Sequence, residues 1–163
     1  MAKAATKPTA AVKSGELTIH RTKLIEAMSA AMTAIQSQKN VMPVLDYLLF
    51  DIPGNGELTI IGTSLDLWRI VTMDCGSRHK ARFLVPAKRA IGFLSKTDAE
   101  EITLSHSDEF INIQAGRAKT KLATFSPNQF PEKPKTDSQG FELPGKHFAR
   151  AVRAVGGRTA RRR

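Results

Sequence analysis

Phe83-Leu84-Val85-Pro86-Ala87-Lys88 returns later in the chain as Phe141-Glu142-Leu143-Pro144-Gly145-Lys146. Each copy is a strand-like triplet followed by proline, a small residue, lysine and then a helical apolar pattern. A looser version opens the chain's ordered part, Leu17-Thr18-Ile19-His20-Arg21-Thr22-Lys23. Self-similarity at a long period marks one supersecondary unit used more than once. The first two copies head complete units. The third soon meets Gly156-Gly157-Arg158-Thr159-Ala160-Arg161-Arg162-Arg163, where the pattern stops.

Working outward from the copies gives the order of elements. Leu17-Thr18-Ile19 alternates as a short strand. Between Thr22 and Gln36, Leu24, Met28, Ala31, Met32 and Ile35 recur at helical steps, which puts them on one core-facing side of an amphipathic helix. Leu45 to Ile52 is apolar on both faces and predicts a strand in mid-sheet, covered on each side. Pro53-Gly54-Asn55-Gly56 supplies turn residues for a hairpin into Leu58-Thr59-Ile60, and Leu67 to Met73 makes a further strand. The second unit repeats the order. Phe83-Leu84-Val85 is a strand and Pro86 suits a first helical position. Ala87, Ala90, Ile91 and Leu94 face inward, leaving Lys88, Arg89 and Lys96 to solvent. Strands follow over Glu101 to His106, through Ile111, Ile113 and Ala115, and from Lys119 to Phe125. Two strand-helix-three-strand units predict an α+β domain with both helices on one face of antiparallel sheet.

Length and composition bound the function. The 163 residues, 41% hydrophobic, suffice for one ordinary core. No apolar run approaches the roughly 18 residues of a membrane span, and no apolar stretch follows Lys3 and Lys7 as a secretory signal requires. A lone cysteine, Cys75, rules out an internal disulfide and any multi-cysteine metal site, so the expectation is a cytoplasmic protein. Net charge is +10, but Lys3, Lys7 and Lys13 and Arg158, Arg161, Arg162 and Arg163 lie in the tails, which leaves about +3 for the body. The arm 1–14 and the tail 156–163 read as solvated, disordered basic segments. With both helices on one side, Arg21, Lys23, Lys88, Arg89 and Lys96 form either a modest phosphate-binding surface or an ordinary solvated helix surface. Composition leaves both readings open.

Catalytic patterns do not survive inspection. Gly140-Phe141-Glu142-Leu143-Pro144-Gly145-Lys146 has the spacing of a phosphate-binding loop, but His147 stands where serine or threonine must hold magnesium, and the stretch before it is polar. His20, His79, His106 and His147 lack metal-ligand spacing. Cys75 has no sequence-adjacent base, and Glu100-Glu101 and Asp108-Glu109 read as solvated strand ends. The expectation is a non-enzyme without metal or cofactor.

Five short motifs then fall in one order: Met42-Pro43-Val44-Leu45, Gly62-Thr63-Ser64-Leu65, Val85-Pro86-Ala87-Lys88, Gly116-Arg117-Ala118-Lys119 and Phe130-Pro131. In this order and approximate spacing they resemble the first domain of the bacterial DNA polymerase III beta subunit, the sliding clamp. The resemblance divides the chain into a clamp-like domain over 15–135, the opening strand and helix of a second domain over 136–155, and the tail. It implies a replicative processivity factor: a ring of two subunits that encloses duplex DNA and slides without reading sequence. Lys39 looks like the family's basic residue before the Met-Pro element, and Lys88 and Arg89 look like the pair opening its second inner helix. Arg21 and Lys23 join them as candidate DNA contacts. Arg117, Lys119 and Leu122 fall on the strand by which clamp subunits pair. Thr120 stands where a bulky apolar residue is common, a loss of about 1.5–3 kcal/mol of burial per contact. The family's pocket for polymerase and clamp-loader peptides lies in later domains that this chain lacks. The length therefore implies a truncated or frame-shifted form, with a deliberately short clamp-like protein as the alternative, and neither closes a ring alone. The alternative function is a fragment that pairs with an intact clamp subunit through an open sheet edge.

Overall fold

Glu16–His20 buries every second side chain, Leu17 and Ile19, as a strand with one face on a core must. This is β1 in the computed structural model, which describes residues 16–35, 42–134 and 142–159, with the side chains of 156–159 excepted. Helix α1 follows at once over Arg21–Met32, and Leu24, Ala27, Met28 and Ala31 are its buried side. The helix ends earlier than the expected Gln36: Thr33 to Ile35 turn away, and Gln36 lies outside the described residues. Pro43–Asp46 forms a 3₁₀ turn, so β2 runs over Tyr47–Ile52 and starts two residues later than its apolar pattern suggested. Proline at the start of that turn favours a helical φ, and Val44 and Leu45 bury from the turn itself.

The remaining strands are β3 (Glu57–Thr63), β4 (Trp68–Asp74), β5 (Ala81–Pro86), β6 (Glu101–His106), β7 (Phe110–Ala115) and β8 (Ala118–Ala123). Helix α2 spans Ala87–Leu94 between β5 and β6. Pro86 lies one residue outside the expected helical position: it caps α2 and still pairs with Tyr47 across the sheet. At the β2–β3 hairpin Gly54 and Gly56 take φ of +90° and +95°, and the Asn55 side chain both accepts from the Glu57 amide and donates to its carboxylate. Those two conformations suit glycine and little else.

The strands form two four-stranded antiparallel sheets, ordered β1-β6-β7-β8 and β4-β3-β2-β5. Each repeat thus lends its first strand to the other: β1 pairs with β6, Leu17 opposite Leu104, while β5 pairs with β2, Phe50 opposite Phe83. One core unites both repeats, with Leu24, Met28, Leu48, Phe50, Ile60 and Ile111 among its fully buried members. A second cluster, Val44, Leu45, Leu49, Leu84 and Phe130, covers the other face of the β2–β5 sheet. This is why β2 is apolar on both faces.

Gly62-Thr63-Ser64-Leu65 acts as a joint between sheet and helix. A Cβ at Gly62 would overlap the carbonyl oxygen of Ala31 in α1, so only glycine lets helix and strand approach this closely. Thr63 is fully buried, yet its hydroxyl donates to the Leu67 carbonyl at 3.1 Å and accepts from the Leu65 amide at 2.9 Å. That pair holds Leu65 at φ 76°, a left-handed conformation that costs a non-glycine residue about 1–2 kcal/mol. Thr63→Val takes the acceptor from the Leu65 amide, while the Leu67 carbonyl keeps the Ser64 amide at 3.1 Å, and we expect chemical denaturation to show a loss of about 1–3 kcal/mol. A loss below about 0.5 kcal/mol would show that water replaces the hydroxyl there.

The chain divides into two compact units, Met1–Glu132 and Lys133–Arg163. The second contains helix α3, Gly145–Thr159. Glu142 to Pro144 adopts no strand, contrary to the repeat pattern; Phe141 lies outside the described residues. The helix also continues past Val155 through Thr159, so residues 156–159 are helical where an irregular tail was expected. Residues 160–163, like the arm 1–14, lie outside the described residues.

Candidate nucleic-acid interface

Both helices of the first unit begin in the same unusual way. Neither α1 nor α2 has a side-chain cap on its first turn, and neither has an acidic residue there. Instead α1 starts with Arg21 and Lys23, and α2 with Ala87, Lys88 and Arg89. A helix N-terminus carries unsatisfied N–H groups and the positive end of the dipole, so a cation there is unfavourable by about 0.3–1 kcal/mol. The repeat has placed positive charge at a positive pole twice. A phosphate oxygen is the natural complement of such a place.

The cations differ in their surroundings. Lys88 and Arg89 are exposed and line one cleft, together with Pro43, Asp46, Tyr47, Pro86 and Phe125. Lys23 lines a different cleft, between α1 and β4, where Glu26 and Asp74 stand beside it. Its charge is therefore partly opposed. Arg21 is half-buried; its amide donates to the Glu100 carbonyl at 2.7 Å, and its Nε is buried without a hydrogen-bond partner among the described residues. A buried N–H left unmade costs about 1–3 kcal/mol. Lys96 is exposed just beyond the end of α2, distant in sequence from the helix start. Lys39 lies outside the described residues.

The strand expected to pair subunits is an edge. In the order β1-β6-β7-β8 only one side of β8 is paired among the described residues, with β7. Arg117 and Lys119 are exposed at its start. Leu122 is half-buried and packs against the main core from its place opposite Ile111. The strand does not run to Phe125 as its pattern suggested: β8 ends at Ala123, whose carbonyl accepts from the Tyr47 hydroxyl, and Thr124 Oγ1 donates to the Leu84 carbonyl at 2.6 Å. The portion open to another strand is Ala118 to Leu122. Sequence reasoning also missed Tyr47 and Phe125, whose rings meet edge to face at 5.0 Å beside Lys88 and Arg89. Only the fold brings those segments together.

Among the described residues no group of three or more histidines, cysteines and carboxylates could hold a metal, and no helix is long and apolar enough to cross a membrane. Burial pushes the Cys75 thiol above its ordinary pKa, a nearby Asp74 adding to the effect, so it stays protonated and weakly nucleophilic at neutral pH.

Two repeats that exchange first strands, one shared core and two cation-bearing helix starts define an α+β sliding-clamp domain. The family model for the DNA polymerase III beta subunit, N-terminal domain, matches residues 15–134, and the chain belongs to that family. The beta sliding clamp of Haemophilus influenzae is 28% identical over 143 residues, a match that takes in 86% of this chain and 38% of that protein. The chain thus spans well under half the length of this relative. Among solved structures, the DNA polymerase III beta subunit of Pseudomonas aeruginosa aligns with a TM-score of 0.74 at 19% identity, covering 84% of this chain and 37% of that one. The DNA polymerase beta subunit of Streptococcus pyogenes aligns with a TM-score of 0.69 at 20% identity, covering 77% and 34%. At such identities the structures speak to the fold.

Proposed function

We propose that the chain is a cytoplasmic, non-catalytic clamp-type module of bacterial DNA replication that holds duplex DNA without sequence preference. The observation that carries this reading is the repeated uncapped helix start bearing cations, Arg21 and Lys23 on α1 and Lys88 and Arg89 on α2. Such charges meet phosphates, which are the same at every base pair, so contact imposes no sequence-dependent barrier to movement. Lys39, by family resemblance, is a further candidate contact. The clamp-like domain over 15–135 supplies no enclosure by itself, and its hold on DNA rests on charge, so binding is weak and salt-sensitive. Full clamp action, with polymerase and loader as partners, requires closure of a ring with further domains of this kind; residues 15–134 correspond to the opening domain of such a subunit.

Fluorescence anisotropy of a labelled duplex at low ionic strength tests the reading. We expect the Lys88→Gln/Arg89→Gln double variant to lower the log–log salt slope by about 1.8, the value for two lost phosphate contacts. Binding that ignores salt, or a slope that moves only when the terminal arginines are removed, would overturn it.

A second reading has its own observation. The unpaired edge of β8 from Ala118 to Leu122, with Arg117 and Lys119 exposed beside it, suits strand addition by an acidic edge of another clamp subunit. Sedimentation of the chain mixed with a full-length clamp should then show a mixed complex that Lys119→Glu weakens; two independent boundaries would sink the idea.

A further inference from the structure

The cleft beside Lys88 and Arg89 is more than a charged surface. It encloses about 280 Å³ between the 3₁₀ turn, the start of β2, the start of α2 and the segment after β8. Its walls are Pro43, Pro86 and the edge-to-face pair Tyr47 and Phe125, whose rings meet at 61°. Both rings are half-buried, so each is anchored in the second apolar cluster and still reaches the cleft. The Tyr47 hydroxyl donates to the Ala123 carbonyl across a long 3.4 Å. Lys88 and Arg89 stand exposed at the rim with the uncapped N-terminus of α2 behind them; Asp46 lines the cleft as well.

Phosphate contact needs the cations but not this cleft. A hollow just below the range of ordinary small-ligand pockets, about 300–1,000 Å³, holds one flat group and little more. An aromatic corner flanked by cations is the combination that single-stranded nucleic acid uses, with the base stacked and its phosphates held outside. Bases in duplex are paired and stacked on one another, and do not enter. We propose that this cleft takes an unstacked base of single-stranded DNA, with Tyr47 and Phe125 against the base and Lys88 and Arg89 on the adjoining phosphates. The assignment rests on the DNA-binding reading above and deepens it: the domain would distinguish an unpaired overhang from the duplex beside it. An acidic peptide would satisfy the same cations, and is the competing occupant.

The test uses the full chain and three labelled probes: an oligo-dT strand of about twelve nucleotides, an abasic deoxyribose-phosphate strand of equal length, and a duplex. Anisotropy titrations should show oligo-dT bound about fivefold or more tighter than the abasic strand. Phe125→Leu and, separately, Tyr47→Leu keep apolar volume but remove a ring, and each should bring that ratio towards one; Tyr47→Phe should keep it. The emission of Trp68, which packs against Phe130 in the same apolar cluster, reports whether each variant is folded. Equal binding of oligo-dT and abasic strand, with duplex still held, overturns the cleft assignment alone. Absence of binding to all three probes overturns it together with the DNA-binding reading. Displacement of oligo-dT by a peptide of aspartate and phenylalanine, with no dependence on the bases, assigns the cleft to peptide and also overturns the proposal.

Discussion

Gly62→Ala should destabilise the domain by about 3 kcal/mol, near the upper end of what an added methylene costs in a packed interior. The new Cβ would meet the Ala31 carbonyl oxygen and, at 3.1 Å, the Leu48 side chain. Leu48 can adjust, but Ala31 is backbone in the last turn of α1, so that end of the helix must move or the strand must bend. The control lies on the other helix. Gly92 faces open space, with nothing within 4 Å of the place a Cβ would occupy, so Gly92→Ala gains helix propensity of about 1 kcal/mol without a clash. Urea denaturation of the two variants should therefore give shifts of opposite sign. Equal, small shifts for both would show that α1 does not lie on β3 as described.

Phe50→Ala should cost about 3–5 kcal/mol, a large share of the roughly 5–15 kcal/mol by which domains are stable. Phe50 is fully buried on β2 and stacks on Phe83 of β5, centroids 5.4 Å apart, while Phe83 stacks in turn on His106 of β6 at 4.8 Å. The three rings join β2 of the first repeat to two strands of the second, so their loss loosens the exchange that makes one domain of two repeats. A melt followed by far-ultraviolet circular dichroism should fall by about 10 °C or more. Phe50→Leu should cost less than about 1.5 kcal/mol, because most of the volume remains. If the alanine variant lost no more than the leucine one, the ring stack would not be a centre of the core.

Much of this domain was legible along the chain. Alternation in Leu17-Thr18-Ile19 and in Glu101 to His106, and three- and four-residue spacing in Leu24, Met28 and Ala31, are local consequences of strand and helix geometry. They appear wherever one face is buried, so β1 and β6 lie where their patterns put them, within a residue or two, and α1 starts within one residue of its pattern but ends four residues before it. The misjudged ends have local causes too. Pro43 begins a 3₁₀ turn whose Val44 and Leu45 are as buried as any strand residue, and apolar character alone does not separate the two. The candidate site was legible only in part. Lys88 and Arg89 could be placed on the solvent side of α2 from spacing, but nothing local linked them to Tyr47 and Phe125, because the segments that meet there are far apart in the chain.

By itself the sequence determined the kinds and order of elements, the duplication announced by the Pro-small-Lys phrase, and the family that the motifs from Met42 to Pro131 mark. These follow from chain-local rules: period, turn chemistry and short motifs act over a few residues. Only the tertiary structure decided that the repeats exchange first strands, that the β2–β5 sheet carries a second apolar cluster on its far face, and that two cations share a cleft with two rings. Those are choices among many edges and faces of similar local quality. They are settled by which pairing buries the most apolar surface at once, a quantity that belongs to the whole fold and to no segment of it.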